Sequence, residues 1–427
     1  MREKITLENG LRVLLDERPS SESVGITCLV GAGSQLDFSK KDGLAHVVEH
    51  LLFRTKWAGK ERSLLKAIED TGGGVEAGTS VDRAFFSVYS HRDDAIEALK
   101  ILSGIVCDLP TDKESFELEK KVVAEELQVT GEDGPGAFQR NKYALLGADE
   151  SLRHFIGGTR KKVESITTDD VKAFYDRYYV GDNMVLSVVG NFNREQIVSK
   201  IALHFGSIRR GGVQIKKQRF EESGPKLKMG GPFGGFVAVF FRGPSFHARE
   251  LGAVELISDI LSTGSHSVLF QTLRERDALV YWVSGSLDLA ADYGSLDIMT
   301  STSASNLVRV LTTIIDETSK LCSSTVSQDD LNIVRARLIK RRMLEFEDVR
   351  EASKWYAERE LLSSRENADD FEQWIREVQS VSVEDLKRTS QKLFIPENCF
   401  VYVLGYLWPW QRRSLLRRIA RMDWRQS

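Results

Sequence analysis

Residues 168–192, TDDVKAFYDRYYVGDNMVLSVVGNF, and residues 383–407, VEDLKRTSQKLFIPENCFVYVLGYL, align without a gap. Asp170, Lys172, Asn183 and Gly190 fall on Asp385, Lys387, Asn398 and Gly405, a constant offset of 215 residues in a chain of 427. An offset of about half the chain excludes a solenoid of short repeats and requires one domain folded twice. Each copy reads helix, turn, strand. Acidic residues follow Thr168 and Ser382, the expected N-caps, and the continuous apolar runs MVLSVVG and CFVYVLG come after. A strand apolar on successive residues has no solvent face, so helices must cover both faces of its sheet, or one face and a sheet end.

The repeat sets the expected division: an N-terminal domain over 1–208, a linker over 209–230 rich in glycine and charge, and a duplicated C-terminal domain over 231–427. In the first copy, ITLENGLRVLLDE reads as a hairpin around Glu8-Asn9-Gly10, since Asn-Gly suits the positive φ of a tight turn. GVEAGTSVDRAFFSVYS, residues 74–90, reads as a second strand pair, and helical patterns fall at about 42–55, 60–71, 92–107 and 112–130. The class is α+β, two homologous domains, each a mostly antiparallel β-sheet packed with α-helices.

Composition narrows the partners. With 59 basic and 62 acidic residues, net charge −3, no global field favours nucleic acid or an anionic membrane. Cys28, Cys107, Cys322 and Cys399 are scattered, without a CxxC pair, as in a reducing compartment. The N-terminus lacks the apolar core of a secretory signal, and no run reaches the roughly 18 apolar residues of a membrane span, so a cytoplasmic protein is expected. The tail, YLWPWQRRSLLRRIARMDWRQS, carries six arginines against one aspartate, with Leu415, Leu416 and Ile419 at helical spacing. Such a helix suits either anionic lipid or the protein's own surface.

DGLAHVVEHLLFRT, residues 42–55, places His46 and His50 four apart with Glu49 between them. Residues at i and i+4 share a helical face, so both imidazoles can address one atom. Leu44, Ala45, Val47, Val48, Leu51, Leu52 and Phe53 make the segment apolar nearly all round. Ionisable groups there need a strong partner: a hydrogen-bonded cluster, or a zinc ion that takes two neutral imidazoles, a carboxylate and a water. Glu49 would reach the water and not the ion. A further carboxylate would come from ELEKKVVAEELQ, residues 117–128, which offers Glu119, Glu125 and Glu126. Glu119 and Glu126, seven apart, share a face, whereas Glu125 points about 100° from Glu126. A solvated surface helix is the other reading of that segment.

Together, GLAHVVEHLLFRT and EKKVVAEEL resemble the inverted zinc-binding motif of the M16 family of metallopeptidases, the pitrilysin and mitochondrial processing peptidase group. The resemblance covers nearly the whole chain and implies the LuxS/MPP-like metallohydrolase fold in its two-domain form. It implies one zinc per chain on His46, His50 and Glu126, with Glu49 as catalytic base and Glu119 supporting the site from behind. LFQTLRERDALVYWVSG, residues 269–285, is similar to the family's Arg and Tyr pair, implying that Arg274 and Tyr281 hold substrate near the metal. Without the family, Arg274 reads as an ion pair with Glu275 or Asp277, and Tyr281 as a strand core residue. Ala77 and Thr79 lie on a strand implied to take an extended peptide at its edge. Many relatives have Asn at Glu76, so substrate contacts are expected to differ there, and Asp277-Ala278-Leu279-Val280 replaces a more usual glycine-containing turn. The resemblance implies a zinc endopeptidase acting on peptides or unfolded and precursor polypeptides, in a chamber closed by a homodimer or by a heterodimer with a related chain. A non-catalytic, peptide-binding subunit is the alternative, and no nucleic-acid partner is expected.

Overall fold

The computed structural model describes residues 2–55, 64–130, 135–213, 218, 220, 225–231, 235–323, 326–362 and 370–422. Parts of the expected linker, residues 232–234 and part of the tail therefore lie outside the described residues. In chain order the elements are β1 (Arg2–Thr6), β2 (Arg12–Glu17), β3 (Ser23–Val30), α1 (Leu44–Leu52), α2 (Leu64–Glu69), β4 (Gly74–Thr79), β5 (Ala84–His91), α3 (Ala95–Cys107), α4 (Lys113–Thr130), α5 (Pro135–Leu145), α6 (Arg160–Glu164), α7 (Thr168–Tyr178), β6 (Met184–Gly190) and α8 (Arg194–Phe205). They continue with β7 (Lys226–Met229), β8 (Phe236–Gly243), α9 (Leu251–Ser262), β9 (Val280–Leu289), β10 (Gly294–Thr302), α10 (Leu307–Ser323), α11 (Gln328–Glu347), α12 (Val349–Leu362), α13 (Phe371–Ser380), α14 (Val383–Leu393), β11 (Cys399–Leu404) and α15 (Pro409–Ala420). Among the described residues no helix is long and apolar enough to cross a membrane.

Two compact units form. The first comprises Met1–Glu132, Glu150–Lys216 and Met343–Leu362, and the second Asp133–Asp149, Lys217–Arg342 and Ser363–Ser427. In the first, a six-stranded sheet runs β1-β2-β6-β3-β5-β4; in the second, a five-stranded sheet runs β7-β11-β8-β10-β9. Among the described residues only β2 with β6 and β7 with β11 pair in parallel; the other strand pairings are antiparallel. Removing β1 leaves one order in both sheets, so the duplication extends well beyond the stretch where it is legible in sequence.

The repeated helices begin on matching capping boxes. Thr167, not Thr168, is the N-cap of α7, exchanging hydrogen bonds with Asp170 as Ser382 does with Asp385 at α14. Thr167 and Ser382 obey the same offset of 215, which Thr168 does not. The apolar strands β6 and β11 are buried along their whole lengths.

Both faces of each sheet are covered, and the second cover is exchanged. In the first unit Leu14, Leu29, Val185 and Val189 point away from the main core and pack on Val349, Ala352, Tyr356 and Ala357 of α12, a helix from the second half of the chain. In the second unit α5, from the first half, plays that part: Phe138 lies 5.0 Å from Phe240 between ring centroids, while neighbouring Phe241 turns to the other face and meets Phe394 after α14 at 4.8 Å. Moved along by 215 residues, α5 falls inside α12, so equivalent helices have traded sheets.

α5 is also held by charge. Lys142, buried, places Nζ 2.6 Å from Asp297 of β10 and 2.5 Å from Asp288 of β9, and the Tyr143 hydroxyl donates to Asp288 at 2.7 Å. Burial works against the Lys142 charge, but the two carboxylates outweigh it and hold its pKa above the usual lysine value. Replacing one partner of a buried pair strands the other charge, so Lys142→Met is expected to cost about 3–5 kcal/mol, read as a lowered denaturation midpoint. Asp297→Asn in the same chain should recover part of that loss.

Candidate metal centre

α1 is started by a residue outside it. Its N-cap, Gly43, has φ 93 and makes no side-chain cap. A Cβ there would lie 2.7 Å from the Gly157 carbonyl oxygen, so both the turn and the close approach require glycine. The orphan amides go to buried Asp37, whose carboxylate accepts from Gly43 N–H at 2.7 Å and Ala45 N–H at 2.8 Å. Leu44, Val47, Val48, Leu51 and Leu52 then anchor α1 in the core, as Phe116, Val123 and Leu127 anchor α4.

With both helices fixed, the His46 and His50 rings stand edge to face, centroids 4.6 Å apart. Glu126 Oε2 lies 3.8 Å from His46 Nε2 and 3.4 Å from His50 Nε2. These three residues offer ligand atoms within 4.8 Å of one another. Two donors about 2.0–2.1 Å from a tetrahedral ion stand about 3.3 Å apart, so the imidazole and carboxylate atoms already have nearly the spacing zinc needs. Glu125 is exposed and stays outside the group.

Glu119 closes the site from behind. Its Oε2 lies 3.2 Å from His50 Nδ1, and its Oε1 accepts from Arg54 Nε. Carboxylates thus face both nitrogens of His50. Burial opposes its charge, yet Glu119 and Glu126 raise its pKa to about 9, while burial and neighbouring His50 drive His46 down to about 4. Without an ion, a proton on His50 Nε2 satisfies Glu126. A divalent cation can take that proton's place while Nδ1–H goes on donating to Glu119, the usual carboxylate–histidine–metal relay. Among the described residues in these contacts, the carboxylates of Glu49, Glu119 and Glu126 outnumber the one permanent cation, Arg54, an excess of negative charge that such an ion fits.

Glu49 lies beside this group but faces β4, where its Oε2 accepts from the Thr79 hydroxyl at 2.8 Å. Burial raises its pKa, with Thr79 and His50 opposing. Strand alternation puts Ala77 on the Thr79 face and turns Glu76 to the other, where it pairs with Lys354 of α12 at 2.5 Å. Glu76 is thus engaged by Lys354 on the face of the sheet opposite Thr79.

Arg274 and Tyr281 lie in the second unit, near each other. The Arg274 guanidinium stands 4.8 Å from the Phe270 ring centroid and 5.1 Å from that of Tyr281. Tyr281 is 78% exposed, which excludes a strand core role; Arg274 Nε lies 3.8 Å from Glu275 Oε1, one of the two expected ion pairs, while Asp277 pairs with Arg276. In the turn that lacks the usual glycine, Ala278 takes φ 48, the left-handed conformation that glycine would adopt without strain.

Arg54 and Asp37 escaped the sequence reading. Arg54 had a local signal, four residues beyond His50 on the same helical side. Asp37 had none, because it caps α1 across a loop.

Fold and site together define a duplicated α+β protein with a His, His, Glu group of metal-binding type, and comparison with known proteins narrows the class. Residues 12–143 match the model for "Insulinase (Peptidase family M16)" and residues 165–338 that for "Peptidase M16 inactive domain". A Bacillus subtilis protein named as an uncharacterized zinc protease is 25% identical over 412 residues, 96% of this chain and 98% of its own. A Mycobacterium bovis protein of the same printed description is 25% identical over 396 residues, 91% and 90% of the two chains. Among solved structures, a protease from Helicobacter pylori superposes with a TM-score of 0.85 at 19% identity, covering 95% of this chain and 99% of that one. The chain belongs to the M16 family of peptidases.

The Arg54–Glu119–His50 relay predicts that Arg54→Gln or Glu119→Gln weakens zinc binding about 10–100-fold, measured by chelator competition, with the far-ultraviolet circular dichroism unchanged.

Proposed function

We propose that this chain is a zinc-dependent endopeptidase that hydrolyses peptides or unfolded and precursor polypeptides. The observation that carries the reading is the convergence of His46, His50 and Glu126 beside a buried Glu49. His46, His50 and Glu126 would hold the zinc, which when bound supplies a Lewis acid for the scissile carbonyl and lowers the pKa of water. Glu49, its pKa raised by burial, accepts a proton from the attacking water and returns it to the leaving amine. The Thr79 hydroxyl keeps one carboxylate oxygen of Glu49 engaged, leaving Oε1 for that transfer.

β4 ends its sheet, so an extended peptide can add there by main-chain hydrogen bonds alongside Ala77 and Thr79, with broad sequence tolerance. Tyr281 presents a hydroxyl suited to the developing oxyanion and Arg274 a cation suited to the peptide. We extend the reading to a homodimer closing on its substrate, with one chain's second unit completing the partner's site; a heterodimer with a related chain is the other assembly. One observation favours a second reading, a peptide-binding subunit without catalysis: the family model over 165–338 describes an inactive domain. That segment contains none of His46, Glu49, His50 or Glu126, which all lie within 12–143.

Glu49→Gln is expected to retain zinc and lower peptide hydrolysis by about 10²–10⁴-fold, while His50→Ala loses the metal. Undiminished turnover in Glu49→Gln would refute the assigned base, and a zinc-loaded wild type unable to cleave a mixed peptide library would favour the second reading. Mixing Glu49→Gln chains with Tyr281→Phe chains should restore activity if sites are shared between protomers; no rescue counts against sharing.

A further inference from the structure

α15 is docked on its own unit and still has a face to spare. Leu415 and Ile419 are buried, Arg412 Nη2 donates to the Leu227 carbonyl at 3.1 Å, and Arg418 forms a two-pronged pair with Asp316 at 2.7 and 2.5 Å. At about 100° per residue, Trp410, Arg413, Arg417 and Arg421 fall within about 80° of one another, on the side opposite Leu415 and Ile419. Trp410 is 67% exposed, with Trp408 at 55% and Tyr406 at 58% just before the helix. Three adjacent exposed aromatics are not an ordinary scatter of surface apolar residues. Arg413, Arg417 and Arg421 are exposed and make no ion pair with any described residue. No Asp or Glu occurs between 406 and 422. Exposed Lys228 extends the positive charge along β7, next to Leu227, which Arg412 contacts.

We propose that this face of α15 is a peripheral docking surface for an anionic phospholipid bilayer. Tyr and Trp rings settle at headgroup depth, where an apolar body and a polar N–H or O–H are both satisfied. Guanidinium groups pair with lipid phosphates through two parallel hydrogen bonds, and each basic residue near an anionic surface adds about 1 kcal/mol. The helix lies flat because its inner stripe is already used by the protein, so contact comes from the rings at its start and the arginines along its outer side. Nucleic acid fits less well: Tyr406 and Trp408 stand edge to face, centroids 5.1 Å apart, and not as parallel platforms for successive bases.

The test is co-sedimentation of the full-length chain with vesicles of phosphatidylcholine and phosphatidylglycerol, against vesicles of phosphatidylcholine alone, at low and high salt. The chain should sediment with the anionic vesicles and be released by salt. Replacing Arg413, Arg417 and Arg421 together by Gln should weaken that binding on the order of 100-fold. Trp408→Ala with Trp410→Ala should weaken it about tenfold. All are surface substitutions in the second unit, whereas the residues of the metal centre belong to the first, so zinc content and circular dichroism should not change. Failure to bind anionic vesicles, or binding that the arginine variant leaves intact, overturns the proposal. So does a chain that ignores vesicles but binds single-stranded RNA, or one that self-associates through Trp410.

Discussion

His50 is held between two carboxylates, Glu119 at Nδ1 and Glu126 near Nε2, and the rest of the site is arranged around those contacts. Glu119 and Glu126 are two turns apart on α4, so one face of that helix reaches both sides of one imidazole. Such a cluster does not hold itself together, since taking these charges out of water costs more than their attraction returns unless the geometry is already fixed. The fixing comes from the apolar residues of α1 and α4, whose burial at roughly 25 cal/mol per Å² supplies the driving force. The division of labour is plain: the core sets the helices, and the helices set the donors.

A similar logic governs the sheets. Strands buried along their whole lengths, such as β6 and β11, need apolar cover on two sides. Each unit obtains its second cover from the other half of the chain, through α12 in the first and α5 in the second. The chain therefore crosses between units several times, and neither half contains all of its own core. Lys142 with its two aspartates makes the seating of α5 specific to a position as well as apolar.

Much of the site was legible because its chemistry is encoded locally. The spacing of His46, Glu49 and His50 is a helix-face pattern, and so is that of Glu119 and Glu126. Both survive in the structure because they lie within single helices. The side to which Glu76 turns was not legible, since it depends on which face of β4 meets α1 and which meets α12. The sequence leaves Thr167 and Thr168 equally plausible as caps, because one-residue boundaries are poorly marked in it, whereas the capping box at Thr167 is explicit in hydrogen bonds. Tyr281 has the alternating context of a core strand residue, and only its exposure shows that nothing covers it.

By itself the sequence determined the duplication, the α+β class, the family and the residues that can bind an ion, because periodicity, capping and short-range spacing act within one element. Tertiary structure alone decided that Arg54 and Asp37 hold the arrangement, that Glu76 turns to the far face of β4, and that equivalent helices trade sheets. Those outcomes depend on how separate elements pack, a balance among many buried contacts that no single stretch of the chain records.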